Sequence, residues 1–175
     1  HLIGDEPFIY TWSDDFIVAQ PNEFQQLIDT YDEFSCSVKT SIKVTKDDEY
    51  GRFGFVSGEE IRPGLIDVAE LIEKPGKENA PSDHATASSY LYTPDIFDYL
   101  RKLKDNLEEG REFFVNEAQR FMIADGKRVI ARQVENGKYY DAGNKLEYLK
   151  TVVDLALKRD DIKDDFASYL RSLKL

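Results

Sequence analysis

The sequence is short of several residues that build familiar sites. Its 175 residues include one cysteine, Cys36, so an internal disulfide and a paired-cysteine metal site are both excluded. Cys36 falls inside a predicted strand, Ser35 to Val44, and reads as a small buried apolar residue. The two histidines are His1 and His84, and the sequence suggests no Cys-His or Ser-His-Asp arrangement. No Gly-rich phosphate loop occurs. No apolar run approaches the roughly 18 residues of a membrane helix. Residues 1–12 lack the basic start and apolar stretch of a signal peptide. His1 stands where an initiator methionine would and reads as the remnant of a tag or a cut. Positive charge is scarce too: 23 Lys and Arg against 34 Asp and Glu give a formal net charge of −11. That excess argues against a nucleic-acid polymer or an anionic membrane as partner. It leaves room for a small phosphorylated ligand held by a few local cations and a metal. The single thiol fits a reducing compartment, and a cytoplasmic protein is expected.

What is present has the composition of a globular protein, 41% hydrophobic and 33% charged. Residues 1–175 are long enough for one core, and no linker breaks them, so a single domain is expected. The acidic runs Asp47–Glu49, Glu108–Glu109, Asp160–Asp161 and Asp164–Asp165 read as solvated faces and first turns of helices. Strand and helix patterns alternate, which predicts an α/β fold. Strands are expected at Pro7–Trp12, Ser37–Val44, Phe53–Val56, Leu65–Glu73, Ala85–Tyr92 and Arg128–Val134. Helices are expected at Pro21–Phe34, from Thr93-Pro94 onward, at Glu112–Ile123, after Asn144, and around Phe166. The first would bury Phe24, Leu27, Ile28, Tyr31 and Phe34; that after Asn144 would bury Leu146, Leu149, Val153 and Ala156. The last carries its stripe on Ile162, Phe166, Tyr169, Leu170 and Leu173.

Four stretches could carry chemistry. Asp14 and Asp15 follow a hydrophobic strand, where ligands bind in open α/β sheets, and hard carboxylate oxygens suit Mg²⁺. A plain acidic turn is the competing reading. Asp141 precedes a predicted helix start, and Lys145 sits in its first turn, where a cation opposes the helix dipole unless an anion joins it. Glu73-Lys74-Pro75 ends a strand: Glu can accept from sugar hydroxyls, and Lys can neutralise a phosphate. Gly54 after Phe53 would let a ligand approach the backbone, or would simply make a turn.

Taken in order, these pieces resemble one family. Leu71-Ile72-Glu73-Lys74-Pro75, Ala80-Pro81-Ser82, Tyr90–Asp98 and Tyr140–Lys150 are similar to motifs of bacterial UTP–glucose-1-phosphate uridylyltransferases. So are Gly4–Phe8 running to Asp14-Asp15, Phe53–Val56 with Gly58-Glu59-Glu60, and Leu155–Arg159. The resemblance implies a Rossmann-like mixed-sheet nucleotidyltransferase fold with C-terminal helices. It implies Asp14 and Asp141 as Mg²⁺ ligands, Glu73 on glucose hydroxyls, and Lys74 on the phosphate of glucose 1-phosphate. Gly54 and Thr86 would line the sugar pocket, and Lys145 would add charge near the phosphates. UTP and glucose 1-phosphate would give UDP-glucose and pyrophosphate. The family's opening Gly-rich, nucleotide-cradling segment has no counterpart in these 175 residues, so little turnover by this chain alone is expected, and so is self-association, as a homo-oligomer. Two departures fall near the pocket: Ser88-Ser89 where the family has Gly before the Tyr, and Arg111–Glu117 in place of Gly-Glu-Ile-Gln-Leu-Thr-Asp. The alternatives are a dTDP-, CDP- or ADP-sugar enzyme, or a non-catalytic module that binds sugar phosphate or drives oligomerisation.

Overall fold

The computed structural model describes residues 2–108 and 110–174; His1 and Glu109, both named above, lie outside the described residues, as does Leu175. Six strands form one mixed sheet: β1 (Phe8–Thr11), β3 (Ser37–Lys43), β4 (Gly54–Arg62), β5 (Leu65–Glu73), β6 (His84–Tyr92) and β7 (Val129–Gln133). Their order is β1-β6-β3-β7-β5-β4. Only β3 and β7 run parallel among the described pairs. The start of β4 also reaches back to β6, pairing Gly54 with Thr86 and Phe55 with Ala85. A second, two-stranded sheet joins β2 (Asp15–Ala19) to β8 (Gly137–Asp141). This is the mixed α/β architecture the alternation predicts.

The period of two sorts the large sheet into two faces. Val38 and Leu91 face α1 (Glu23–Phe34), where Leu27 packs against them. Tyr90 and Tyr92 face the other way, into a core with Ile96 and Leu103 of α2 (Ile96–Asn106) and Ala118 and Met122 of α3 (Val115–Ala124). Val56, Ile66, Val68, Leu71, Val129 and Ala131 continue that second core beneath Ile123 of α3. Helix, sheet and helices thus make three layers.

Several local expectations shift. β5 spans Leu65–Glu73 as predicted, whereas β4 is longer than the predicted Phe53–Val56 because its far half pairs with β5. α3 starts at Val115 rather than Glu112, and the residues before it run extended, with Glu112, Phe113 and Phe114 lining a cavity. Thr93 does stand where the α2 turns begin, but its hydroxyl is engaged by Ser37 and Asp95 instead of capping a backbone N–H. α1 turns differently from its apolar spacing: Phe24 and Ile28 are exposed, and Glu23, Gln26 and Thr30 point inward with Leu27. Those polar groups have partners. Glu23 accepts from Thr40 Oγ1 at 2.9 Å and Ser88 Oγ at 3.0 Å. Gln26 donates to the Pro21 and Glu135 carbonyls at 2.8 and 3.0 Å.

Asn144 caps α4 (Lys145–Ala156) as expected, accepting from the N–H groups of Leu146 and Glu147 at 2.9 and 3.2 Å. The face presented inward matches the predicted one only in its second half, where Val153 and Ala156 are half-buried. Thr151 is buried, while Leu146 and Leu149 are exposed, and α4 rests on β8. α5 (Lys163–Ser172) buries none of its described residues fully.

Two backbone positions matter for the site. Ser88 takes φ +64° in the middle of β6, a conformation glycine adopts freely and other residues rarely. It marks a bulge: β3 pairs Lys39 with Tyr90 and then Ser41 with Thr86. Lys39 itself is fully buried, alternating with Val38 so that it faces α3. Burial drives its pKa down to about 7, against the opposing pull of the Glu73 charge. Between about pH 7 and the lysine value of the unfolded chain, the unfolded state holds the extra proton, so stability rises with pH there. Urea unfolding in steps across that range should show the wild-type chain gaining on Lys39→Met by on the order of a few kcal/mol. Parallel pH profiles for the two would mean that the ammonium is not isolated from solvent.

Candidate active site

A cavity of about 440 Å³ opens on the α3 side of the sheet. Its floor is the β4–β6 junction. Gly54 stands where three polar groups converge: a Cβ there would lie 2.5 Å from Asn116 Nδ2, 3.0 Å from Glu73 Oε2 and 3.1 Å from Thr86 Oγ1. A Cβ would have to push these side-chain groups back, so glycine at the start of the strand is what lets the three meet. Asn116 Nδ2 donates to Glu73 Oε2 at 2.5 Å, and Thr86 Oγ1 donates to the Gly54 carbonyl at 3.4 Å.

Glu73 ends β5, and Lys74 turns the chain with φ +46°, its N–H donating to the Phe53 carbonyl at 3.0 Å. Left-handed backbone at a non-glycine residue is a strained geometry that structures retain mainly at functional places. The turn carries the Lys74 ammonium over the Phe114 ring, 4.8 Å from its centre, on the extended run that precedes α3. Lys74 remains exposed, so its charge is available to a ligand.

The opposite wall is acidic, and the small sheet builds it. Asp15 lies directly across from Asp141 in the β2–β8 register. The Asp14 carbonyl accepts from Ala142 N–H at 2.6 Å. Gly143 separates the Asp14 and Asp141 carboxylates. A Cβ on it would stand 3.0 Å from Asp14 Oδ2 and 3.3 Å from Asp141 Oδ1, so glycine keeps open a gap between two hard oxygen donors. Asp141 Oδ1 accepts from the N–H groups of Gly143 and Asn144 at 2.9 and 3.1 Å. Arg52 donates to Asp141 Oδ2. Asp15 turns its carboxylate inward, accepting from Ser88 N–H at 3.0 Å and Tyr139 OH at 3.1 Å, and its Oδ1 is buried without a partner. Burial pushes the Asp15 carboxyl up, with Asp14 and Asp141 pushing the same way, against those two hydrogen bonds.

Among the described residues, no group of three or more His, Cys, Asp or Glu side chains converges as a metal cage. Two carboxylates across a glycine-sized gap suit a different kind of ion, one that keeps water and ligand oxygens for its other positions, as Mg²⁺ does.

The structure therefore gathers Asp14, Gly54, Glu73, Lys74, Thr86 and Asp141 around one cavity. Lys145 begins α4 beyond the Asn144 cap and is exposed outside the cavity lining. Sequence reading gave no site role to Arg52, Tyr90 or Tyr139, and reached Phe114 and Asn116 only as members of a segment near the pocket; all five line the cavity. One signal pointed to Asn116: it lies in Arg111–Glu117, a segment that departs from the family pattern near the pocket.

The description "Nucleotidyl transferase" fits a family whose match covers residues 1–158. A "UTP--glucose-1-phosphate uridylyltransferase 2" of Streptococcus pyogenes serotype M3 (strain ATCC BAA-595 / MGAS315) is 34% identical over 177 aligned positions, taking in 98% of this chain. The chain spans 58% of that relative's length. A crystal structure of a UDP-glucose pyrophosphorylase complexed with UDP-glucose superposes with a TM-score of 0.80 at 31% identity, over 90% of this chain and 59% of the other. A UTP-bound UGPase from Acinetobacter baumannii shares the fold at 21% identity, with a TM-score of 0.82 over 99% of this chain and 59% of that one. Matched from its first strand through α4, the chain belongs to the nucleotidyl transferase family.

Proposed function

We propose that this chain carries the sugar-phosphate side of a UTP–glucose-1-phosphate uridylyltransferase, which joins UTP and glucose 1-phosphate into UDP-glucose and pyrophosphate. The observation that carries the reading is the placement of Glu73 and Lys74 at one wall of the cavity and of Asp14 and Asp141 at another. A sugar phosphate presents matching groups: hydroxyls that donate to Glu73, and a dianion for Lys74 and for a cation between the two aspartates.

Glu73 accepts from sugar hydroxyls, with Thr86 beside it. Gly54 lets the ring come down onto the backbone. Lys74, held over Phe114, meets the phosphate as a point charge. Asp14 and Asp141 hold Mg²⁺, and Lys145 adds positive charge as the phosphates arrive. A bound divalent cation supplies charge neutralisation for phosphate oxygens. What the protein contributes is position: the attacking phosphate is fixed, and Trp12, Tyr90 and Phe113 give the cavity an apolar wall. The buried, unpaired Cys36 is consistent with a cytoplasmic setting. Phe24 and Ile28 on α1, and Leu146, Tyr148 and Leu149 on α4, leave apolar surface in water, and homo-oligomerisation would cover it.

Calorimetry with glucose 1-phosphate tests the reading. The chain should bind it, and Lys74→Ala should bind roughly tenfold more weakly, the scale of one charge-assisted hydrogen bond. A folded wild-type chain that takes up no glucose 1-phosphate, with or without Mg²⁺, would sink the proposal. For the acidic pair, Gly143→Val should weaken Mn²⁺ binding, followed by electron paramagnetic resonance, by about tenfold or more. Unchanged Mn²⁺ affinity would separate the two aspartates from metal binding. Light scattering should give a mass above that of one chain; a monomer at high concentration would count against oligomerisation.

A further inference from the structure

Lys39 is an expensive residue to keep where it is. It sits in the middle of β3, fully buried, with β6 on one side through Tyr90 and β7 on the other through Ala131. An aliphatic side chain would fill this volume without taking an ammonium out of water, which costs several kcal/mol even when partly compensated. The surroundings compensate in an unusual way. Nζ donates to Asn116 Oδ1 at 2.7 Å and to Gln119 Oε1, and lies 4.1 Å from the centre of the Tyr90 ring. Gln119 spends its oxygen on Lys39, and its Nε2 is left buried without a partner. Two amides on α3, half-buried Asn116 and fully buried Gln119, are therefore arranged around this charge, and Gln119 bears a further cost for it.

The ammonium decides which way Asn116 turns. It offers donors only, so Asn116 must present its oxygen to Lys39 and its NH₂ the other way. That NH₂ donates to Glu73 Oε2. The chain Lys39–Asn116–Glu73 runs from the core to the cavity wall, and it has a direction. With Oε2 taken by Asn116, the other Glu73 oxygen is left for a ligand.

We propose that Lys39 is a positioning residue of the cavity, acting through Asn116 to hold the Glu73 carboxylate in one orientation for a sugar hydroxyl. This rests on the reading of Glu73 as the sugar-binding acceptor. It accounts for a core charge that packing does not require. It also links the two segments that depart from the family pattern, since Asn116 lies in one and Tyr90, over which Lys39 stacks, follows the other. The groups facing the ammonium are Tyr90 from β6, Ala131 from β7, Asn116 and Gln119 from α3, and the Glu73 charge beyond Asn116. A neutral amine no longer dictates the Asn116 orientation, so the relay is set below the Lys39 midpoint of about 7 and relaxes above it.

Two measurements on the 175-residue chain decide the matter. The first needs no ligand. The Asn116 side-chain amide, followed by proton–nitrogen correlation NMR, should titrate with a midpoint near 7, at lower pH in Glu73→Gln, and lose that titration in Lys39→Met. An Asn116 amide indifferent to pH, or one that titrates alike in Lys39→Met, overturns the relay. The second is calorimetry with glucose 1-phosphate below pH 7. Lys39→Met and Asn116→Leu should each weaken binding roughly tenfold, and the double variant should lose little more than either. Wild-type affinity in a folded Lys39→Met overturns the proposal. If Lys39→Met does not fold, wild-type affinity in Asn116→Leu overturns it equally. A wild-type chain that binds no glucose 1-phosphate removes the sugar-phosphate reading, and the NMR result then decides alone whether Lys39 orients Asn116 toward Glu73.

Discussion

One strand carries the arrangement. All nine residues of β6 are buried, and it hydrogen-bonds to β1, β3 and β4. Those pairings set the register of the sheet around it. At Ser88 the strand bulges, its N–H reaching Asp15 and its hydroxyl reaching Glu23. The bulge ties the small β2–β8 sheet to the large one. Thr86 and Tyr90, four residues apart, share a face by alternation, and beside the bulge Ala87 joins them in the cavity lining. Without the bulge, strict alternation would send neighbouring residues to opposite faces.

The site is built from two kinds of emptiness. Gly54 is crowded by side-chain oxygen and nitrogen atoms and Gly143 by carboxylate oxygens, which a Cβ would press back. At Gly54 the space lets a carboxylate, an amide and a hydroxyl meet. At Gly143 it keeps two carboxylates apart. Such positions have a clear steric logic in three dimensions and almost none in one, because the atoms that crowd them come from distant segments.

Legibility followed the range of the interactions. β5 could be read to the residue because Gly64 before it and Lys74-Pro75 after it punctuate the chain locally. The Asn144 cap was equally plain, since a cap is satisfied by its own helix. α1 could be located but its buried face could not: Glu23 and Gln26 turn inward toward Thr40, Ser88 and Glu135, partners that periodicity does not reveal. β2 went unread although Phe16-Ile17-Val18-Ala19 is a β-prone apolar run: it is short, has no period-two alternation, and its partner β8 lies more than a hundred residues away. Of the cavity, Asp14, Glu73, Lys74 and Asp141 were visible at element ends. Asn116 and Arg52 were not, since each is defined by the side chain it meets.

Asp141 has two duties at once. Its Oδ1 closes the turn that leads into α4, accepting from Gly143 and Asn144, while the same carboxylate faces the cavity. Any change at this position therefore confounds ligand affinity with the seating of the C-terminal helices. Asp14 joins the β2–β8 connection through its backbone carbonyl, which a side-chain replacement leaves in place. For genetic dissection the two acids are unequal instruments: Asp14 can report on the cation alone, and Asp141 cannot.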